Sequence, residues 1–164
     1  MLNKKLFKLS VVSLFILLFI PACQLQKTGN SIPQIALYSE KGADERCVLA
    51  TTGMFEWMSY DVTLINADSV NNIILEKYDL ICFPGGDMYQ YSQNISAQGL
   101  EKIRNFIRTG GGYIGICGGA YFTGEKIFWQ GNQIPMNSLA IFPGKTKGPI
   151  DEIAPFPHCK MCKT

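Results

Sequence analysis

Gly111-Gly112-Tyr113-Ile114-Gly115-Ile116-Cys117-Gly118-Gly119 is the stretch on which the fold turns. Residues 113–116 form a short apolar strand that runs directly into a cysteine set between glycines. Glycine, any residue, nucleophile, any residue, glycine is the pattern of a strand-to-helix elbow, because neighbouring side chains would clash in so tight a turn. Cys117 would then stand exposed at a helix N-terminus, whose positive dipole end favours thiolate over thiol. Taken alone, the same string also fits a buried structural cysteine. The preceding strand, the glycines at 110–112 and a second glycine-ended strand upstream favour the nucleophile-type position.

That upstream strand covers residues 78–83 (YDLICF) and stops at Pro84-Gly85-Gly86. Between the two strands, Ser96 caps a helix in which Leu100, Ile103, Phe106 and Ile107 recur at helical spacing, with Lys102, Arg104 and Arg108 facing outward. Gly110-Gly111-Gly112 ends it, as glycine past a helix C-terminus commonly does. Further out, residues 32–38 read as a buried strand, with Pro33 tolerable near its start. Residues 44–60 read as a helix capped by Asp44, with Val48, Met54, Phe55 and Met58 on one face. Residues 61–67 form a strand and 69–77 a short helix. This alternation is the signature of βαβ units on a parallel sheet with helices on both faces. Trp57 and Trp129 are expected in or near the core. Beyond Phe122, residues 126–129 read as a strand and 131–148 as turns. Residues 151–164 hold Pro155, Pro157, His158, Cys159 and Cys162 without a closing element, so the domain is expected to be incomplete at its C-terminus.

In open α/β sheets, ligands bind at the carboxyl ends of the parallel strands. Gly85-Gly86-Asp87 and the elbow mark two such ends. The Gly118 N–H, with that of Gly85 or Gly86, would form an oxyanion hole, whose donors contribute about 3 kcal/mol each. Asp87 either binds a polar substrate beside Cys117 or caps the next turn. Tyr121, like Tyr89 and Tyr91, either lines the pocket or packs beside the glycine loops. Cys159 and Cys162 make a Cys-x-x-Cys, but a zinc site needs four ligands, so neither a metal nor any other cofactor is expected.

The 164 residues are 47% apolar and 17% charged, a globular composition that suits one domain. The net charge is +2 with no basic stripe outside the first residues, which argues against nucleic acid. Lys4, Lys5 and Lys8 precede an apolar run at 9–20, shorter than the ~20 residues of a membrane span and suited to a signal peptide. Ile20-Pro21-Ala22-Cys23 resembles the lipobox of bacterial lipoproteins, apart from Pro21. Residues 1–22 are thus expected to be a signal peptide, Cys23 the lipidated residue, 23–31 a tether and 32–164 the domain. The resemblance implies a lipoprotein anchored in the bacterial cell envelope. The alternatives are a secreted or periplasmic protein with a chance cysteine, or an uncleaved anchor. Of six cysteines, Cys23 aside, an odd number remains. Cys47 and Cys82 read as small buried hydrophobes, and no disulfide framework is expected.

Phe83-Pro84-Gly85-Gly86-Asp87 and residues 111–122, with Phe142-Pro143-Gly144 and Lys147-Gly148-Pro149-Ile150, resemble the N-terminal domain associated with some biotin–protein ligases. That domain belongs to the class I glutamine amidotransferase-like superfamily. The resemblance implies a flavodoxin-like three-layer sandwich with a mostly parallel sheet and Cys117 at the elbow. It is not expected to bring ligase activity, because no biotin-transferring module is read in these residues. Amidotransferase chemistry also requires a histidine and an acid. The chain's one histidine, His158, stands in a proline-rich stretch outside any His-x-Glu pattern. Two readings follow. One is a lipid-anchored enzyme-like domain whose ancestral chemistry is attack on an amide or related carbonyl. The other is a non-catalytic module holding a small polar ligand or a partner in the same pocket.

Overall fold

The computed structural model describes residues 31–72 and 75–151. Four parallel strands make the main sheet: β1 (Gln34–Tyr38), β2 (Asp61–Ile65), β3 (Leu80–Phe83) and β4 (Gly112–Gly115), in the order β2-β1-β3-β4. In register, Leu37 lies between Leu64 and Cys82, and Phe83 lies beside Gly115. Five helices connect and cover the strands: α1 (Glu45–Trp57), α2 (Ala67–Asn72), α3 (Met88–Asn94), α4 (Ala97–Arg108) and α5 (Gly118–Tyr121). A 3-10 turn, Leu75–Lys77, precedes β3.

Because strand side chains alternate, β1 and β3 feed two separate cores. Ile35, Leu37 and Cys82 point to one face and pack with Phe55 of α1. Ala36, Tyr38, Ile81 and Phe83 point to the other, beneath Val70 of α2, Tyr91 of α3 and Leu100, Ile103 and Phe106 of α4. Helices on both faces of a parallel sheet give the expected flavodoxin-like three-layer architecture. A smaller three-stranded sheet follows: β5 (Gly124–Trp129), flanked by β6 (Asn132–Gln133) and, in parallel, by β7 (Phe142–Gly148). The expected strand at 126–129 is therefore present and two residues longer. The last seven residues of the stretch read as turns are β7, whose exposed, glycine- and proline-containing sequence has no buried apolar face to betray it.

Local chemistry explains the element ends. Asp44 accepts from the N–H groups of Arg46 and Cys47 and starts α1; Ser96 accepts from Gly99 N–H and starts α4. α4 closes with a Schellman motif: Gly111 N–H donates to Phe106 O and Gly110 N–H to Ile107 O, with Gly110 at φ 108°. Two expectations fail. Trp57 is 85% exposed, and Met54 and Met58 are also exposed. Only Thr51 and Phe55 of α1 are buried, so the narrow contact stripe turns the methionines and Trp57 toward solvent. Arg104 does not simply face outward: its guanidinium donates to the carbonyls of Leu139 (2.8 Å) and Ser138 (3.0 Å), joining α4 to the loop before β7.

Candidate functional site

The chain order of a flavodoxin-like sheet reverses between β1 and β3, and the loops leaving those strands must part there. In this protein they are tied together instead. Asp44 N–H donates to Gly85 O and Asp87 N–H to Gly42 O, each within 2.9 Å, on either side of an Ala43–Gly86 bridge. The β4 loop joins them from the third side. Gly119 N–H reaches Pro84 O at 3.3 Å, and Ile116 N–H donates to Phe83 O at 3.0 Å. Two tyrosine hydroxyls hold this backbone from beneath, Tyr91 on Pro84 O and Tyr113 on Gly119 O, both at 2.9 Å. Tyr91 is fully buried among Tyr38, Phe83 and Phe122, so the loop it anchors rests on an aromatic core.

Cys117 has φ 50° and ψ −108°, outside the ordinary regions for a residue with a side chain. Its thiol is exposed. The surrounding glycines have a steric reason. A Cβ on Gly118 would strike Gly86 O, one on Gly119 would strike Phe83 O, and one on Gly115 would come 2.5 Å from Gly119 O. The turn thus packs backbone against backbone, which larger residues would prevent. Among the described residues, no carbonyl accepts from the N–H groups of Gly85, Gly86 or Gly118. Gly86 and Gly118 both border the cleft that holds Cys117.

That cleft has a volume of about 670 Å³. Gly86, Asp87, Cys117, Gly118 and Tyr121 line it, all singled out from sequence. Asp87 accepts from Tyr89 N–H at 2.9 Å and so caps α3 while bordering the cleft. Tyr121 donates to Lys147 O at 3.3 Å and stacks edge-on against Trp129; burial and the nearby Cys117 push its hydroxyl pKa up. The apolar part of the wall, Met88, Trp129, Ile134 and Pro135, was not anticipated. Its residues come from α3, β5 and the loop after β6, which carry no motif and meet only through tertiary packing. Trp129, expected near the core, is half-buried in this wall.

Cys47 was also missed. It was read as a buried hydrophobe, yet it is only half-buried and lies in the first turn of α1, at the same carboxyl edge of the sheet. The available signal was its position three residues after the cap of a helix that follows a parallel strand. Burial, then the Asp44 carboxylate and Cys117, raise its thiol pKa. Cys82 does match its reading, fully buried in β3. Cys23, His158, Cys159 and Cys162 lie outside the described residues.

Comparison with known proteins agrees with this fold. The family model described as "Biotin-protein ligase, N terminal" matches residues 33–152. An uncharacterized protein of Chlamydia muridarum is 29% identical over 134 residues, which cover 76% of this chain and 52% of that protein. The biotin–protein ligase of Schizosaccharomyces pombe is 28% identical over 126 residues, 70% of this chain and 20% of the ligase. The chain thus spans about half the length of one curated relative and a fifth of the other. Among solved structures, the crystal structure of VC2308 protein superposes with a TM-score of 0.50 at 15% identity, over 60% of this chain and 63% of that one, a likeness of fold alone. With the match spanning the whole sheet, both glycine loops and the elbow, the chain belongs to the biotin–protein ligase N-terminal family.

Proposed function

We propose that this chain is a class I glutamine amidotransferase-like domain, exported and held at the bacterial envelope through a lipid on Cys23, in which Cys117 is the nucleophile. The observation that carries the reading is the exposed thiol at φ 50°, beside the unengaged N–H groups of Gly86 and Gly118 in one cleft. A small polar ligand presents an amide carbonyl there, with its carbon skeleton along Met88, Trp129, Ile134 and Pro135 and its polar end near Asp87 and Tyr121. The Cys117 sulfur bonds to the carbonyl carbon, and the oxyanion accepts from Gly118 and from Gly86 or Gly85. The C–N bond then breaks, the nitrogen departs with the thiol proton, and water cleaves the thioester to return the free thiol.

A second reading has its own support. The chain's one histidine, His158, stands in a proline-rich stretch outside any His-x-Glu pattern, and a module that only binds its ligand in this cleft needs no base. Alkylation separates the two. Iodoacetamide at neutral pH, followed by peptide mass spectrometry, should modify Cys117 about tenfold faster than Cys47 and leave Cys82 untouched. Cys117→Ser should lose the fast phase. Reaction of Cys117 no faster than that of Cys47 would remove the nucleophile and favour the binding module.

A further inference from the structure

We propose that Cys47 and Cys117 form a disulfide site, closed by exchange with the disulfide of a small thiol and reopened by reduced thiol. The two residues are far apart in sequence and meet across Gly85. The point where a Cβ would sit on Gly85 lies 2.8 Å from Cys47 Sγ, 3.4 Å from Cys47 Cβ and 3.5 Å from Cys117 Cβ. The missing side chain leaves the space in which two sulfurs can approach. A disulfide requires the two Cβ atoms about 3.8 Å apart, and both lie within 3.5 Å of this one point. Nothing larger than glycine at position 85 would permit that approach. Both thiols are free in this structure, Cys117 exposed and Cys47 half-buried, whereas the third described cysteine, Cys82, is sealed inside β3.

Exposure sets the order of the steps. The Cys117 thiolate attacks one sulfur of the oxidised small thiol, forming a mixed disulfide and expelling one thiolate. Cys47 then gives up its proton and attacks the Cys117 sulfur, and the second thiolate leaves. Two protein thiols have become one disulfide, and the small disulfide has been reduced to two thiols that carry away the two protons. Burial and Asp44 hold the Cys47 thiol in its protonated form, which suits the second, resolving position. Once closed, the bond removes the Cys117 sulfur from the cleft. The inference depends on the placement of the two sulfurs and holds whether the domain is an enzyme or a binding module.

Oxidised glutathione is the probe. The full chain is incubated with it, quenched in acid, digested without reduction and analysed by mass spectrometry. The expected product is a Cys47–Cys117 linked peptide, reversed by dithiothreitol, with little glutathione retained on Cys117. In Cys47→Ser the reaction should stop at the mixed disulfide, raising the glutathionylated fraction of Cys117 about tenfold. Gly85→Ala keeps both thiols but puts a methyl group between them, and it should also accumulate the mixed disulfide. A stable mixed disulfide on wild-type Cys117, equal to that of Cys47→Ser, would overturn the pairing while leaving the reactivity of Cys117 intact. Pairing of Cys47 with a cysteine other than Cys117, or no reaction at either thiol, would overturn it as well.

Discussion

Cys82 and Cys117 end up in opposite environments although both lie on or directly after sheet strands. Cys82 is fully enclosed between β1, β4 and α1, and burial pushes its thiol pKa up to about 12. In the unfolded chain it returns to about 8.5. Below that value the thiol is neutral in both states and its contribution to stability is constant. Above it, only the unfolded chain releases the proton, so stability falls as the pH rises toward the folded value. Raising the pH from 8 to 10 should therefore cost wild-type protein more than Cys82→Ala, narrowing the gap between them by about 1–2 kcal/mol in urea titrations. An unchanged gap would mean that Cys82 is solvated. At this scale the elbow cysteine was legible because its glycines stand contiguous with it in the sequence, although the contacts that require Gly118 and Gly119 come from Gly86 O and Phe83 O on the β3 loop. Cys47 was not, since its importance comes from Gly85, on another strand's loop.

The elements divide by where their cause lies. α4 was readable because its cap, its apolar stripe and its terminal glycines all lie inside one short segment. Ser96 does more than cap: its hydroxyl also donates to Asn71 Oδ1 at 2.9 Å, and Asn71 accepts from Ser96 N–H as well. Ser96→Ala should thus lose both a cap and a tie to α2. The expected cost is about 1–2 kcal/mol, read as a lower urea midpoint with an unchanged slope. A loss within 0.3 kcal/mol of zero, on the scale of an ordinary surface substitution, would show that water replaces both bonds. α3 was missed because MYQYSQN, one methionine followed by six polar and aromatic residues, carries little helical periodicity. What makes them helical is the Asp87 cap and the burial of Tyr91 against Phe83 and Phe122. α1 was found, but its outer face was misjudged: Met54, Met58 and Trp57 are apolar yet exposed.

For the molecule as a whole, composition and alternation were enough to indicate one parallel α/β domain, because strand and helix periods are properties of the chain itself. Among the described residues, no helix is long and apolar enough to cross a membrane; attachment is proposed to rest on Cys23, from the lipobox-like residues 20–23. Expressed in a bacterium with a lipoprotein pathway, the wild-type protein should partition with membranes and carry acyl mass. Cys23→Ala should remain unprocessed or move to the soluble fraction, because stable anchoring needs two or more chains. Equal membrane partitioning and processing of both proteins would remove the lipid anchor from the proposal. The sequence by itself determined the four parallel strands, the long helices α1 and α4 and the elbow at Cys117, since these follow from local spacing, turn sterics and side-chain alternation. Only the tertiary structure decided what surrounds that cysteine. Gly85 and Gly86, Cys47, and the Trp129 wall come from separate loops and sheets, and only the register of β1, β3 and β4 with the docking of β5 brings them to one place.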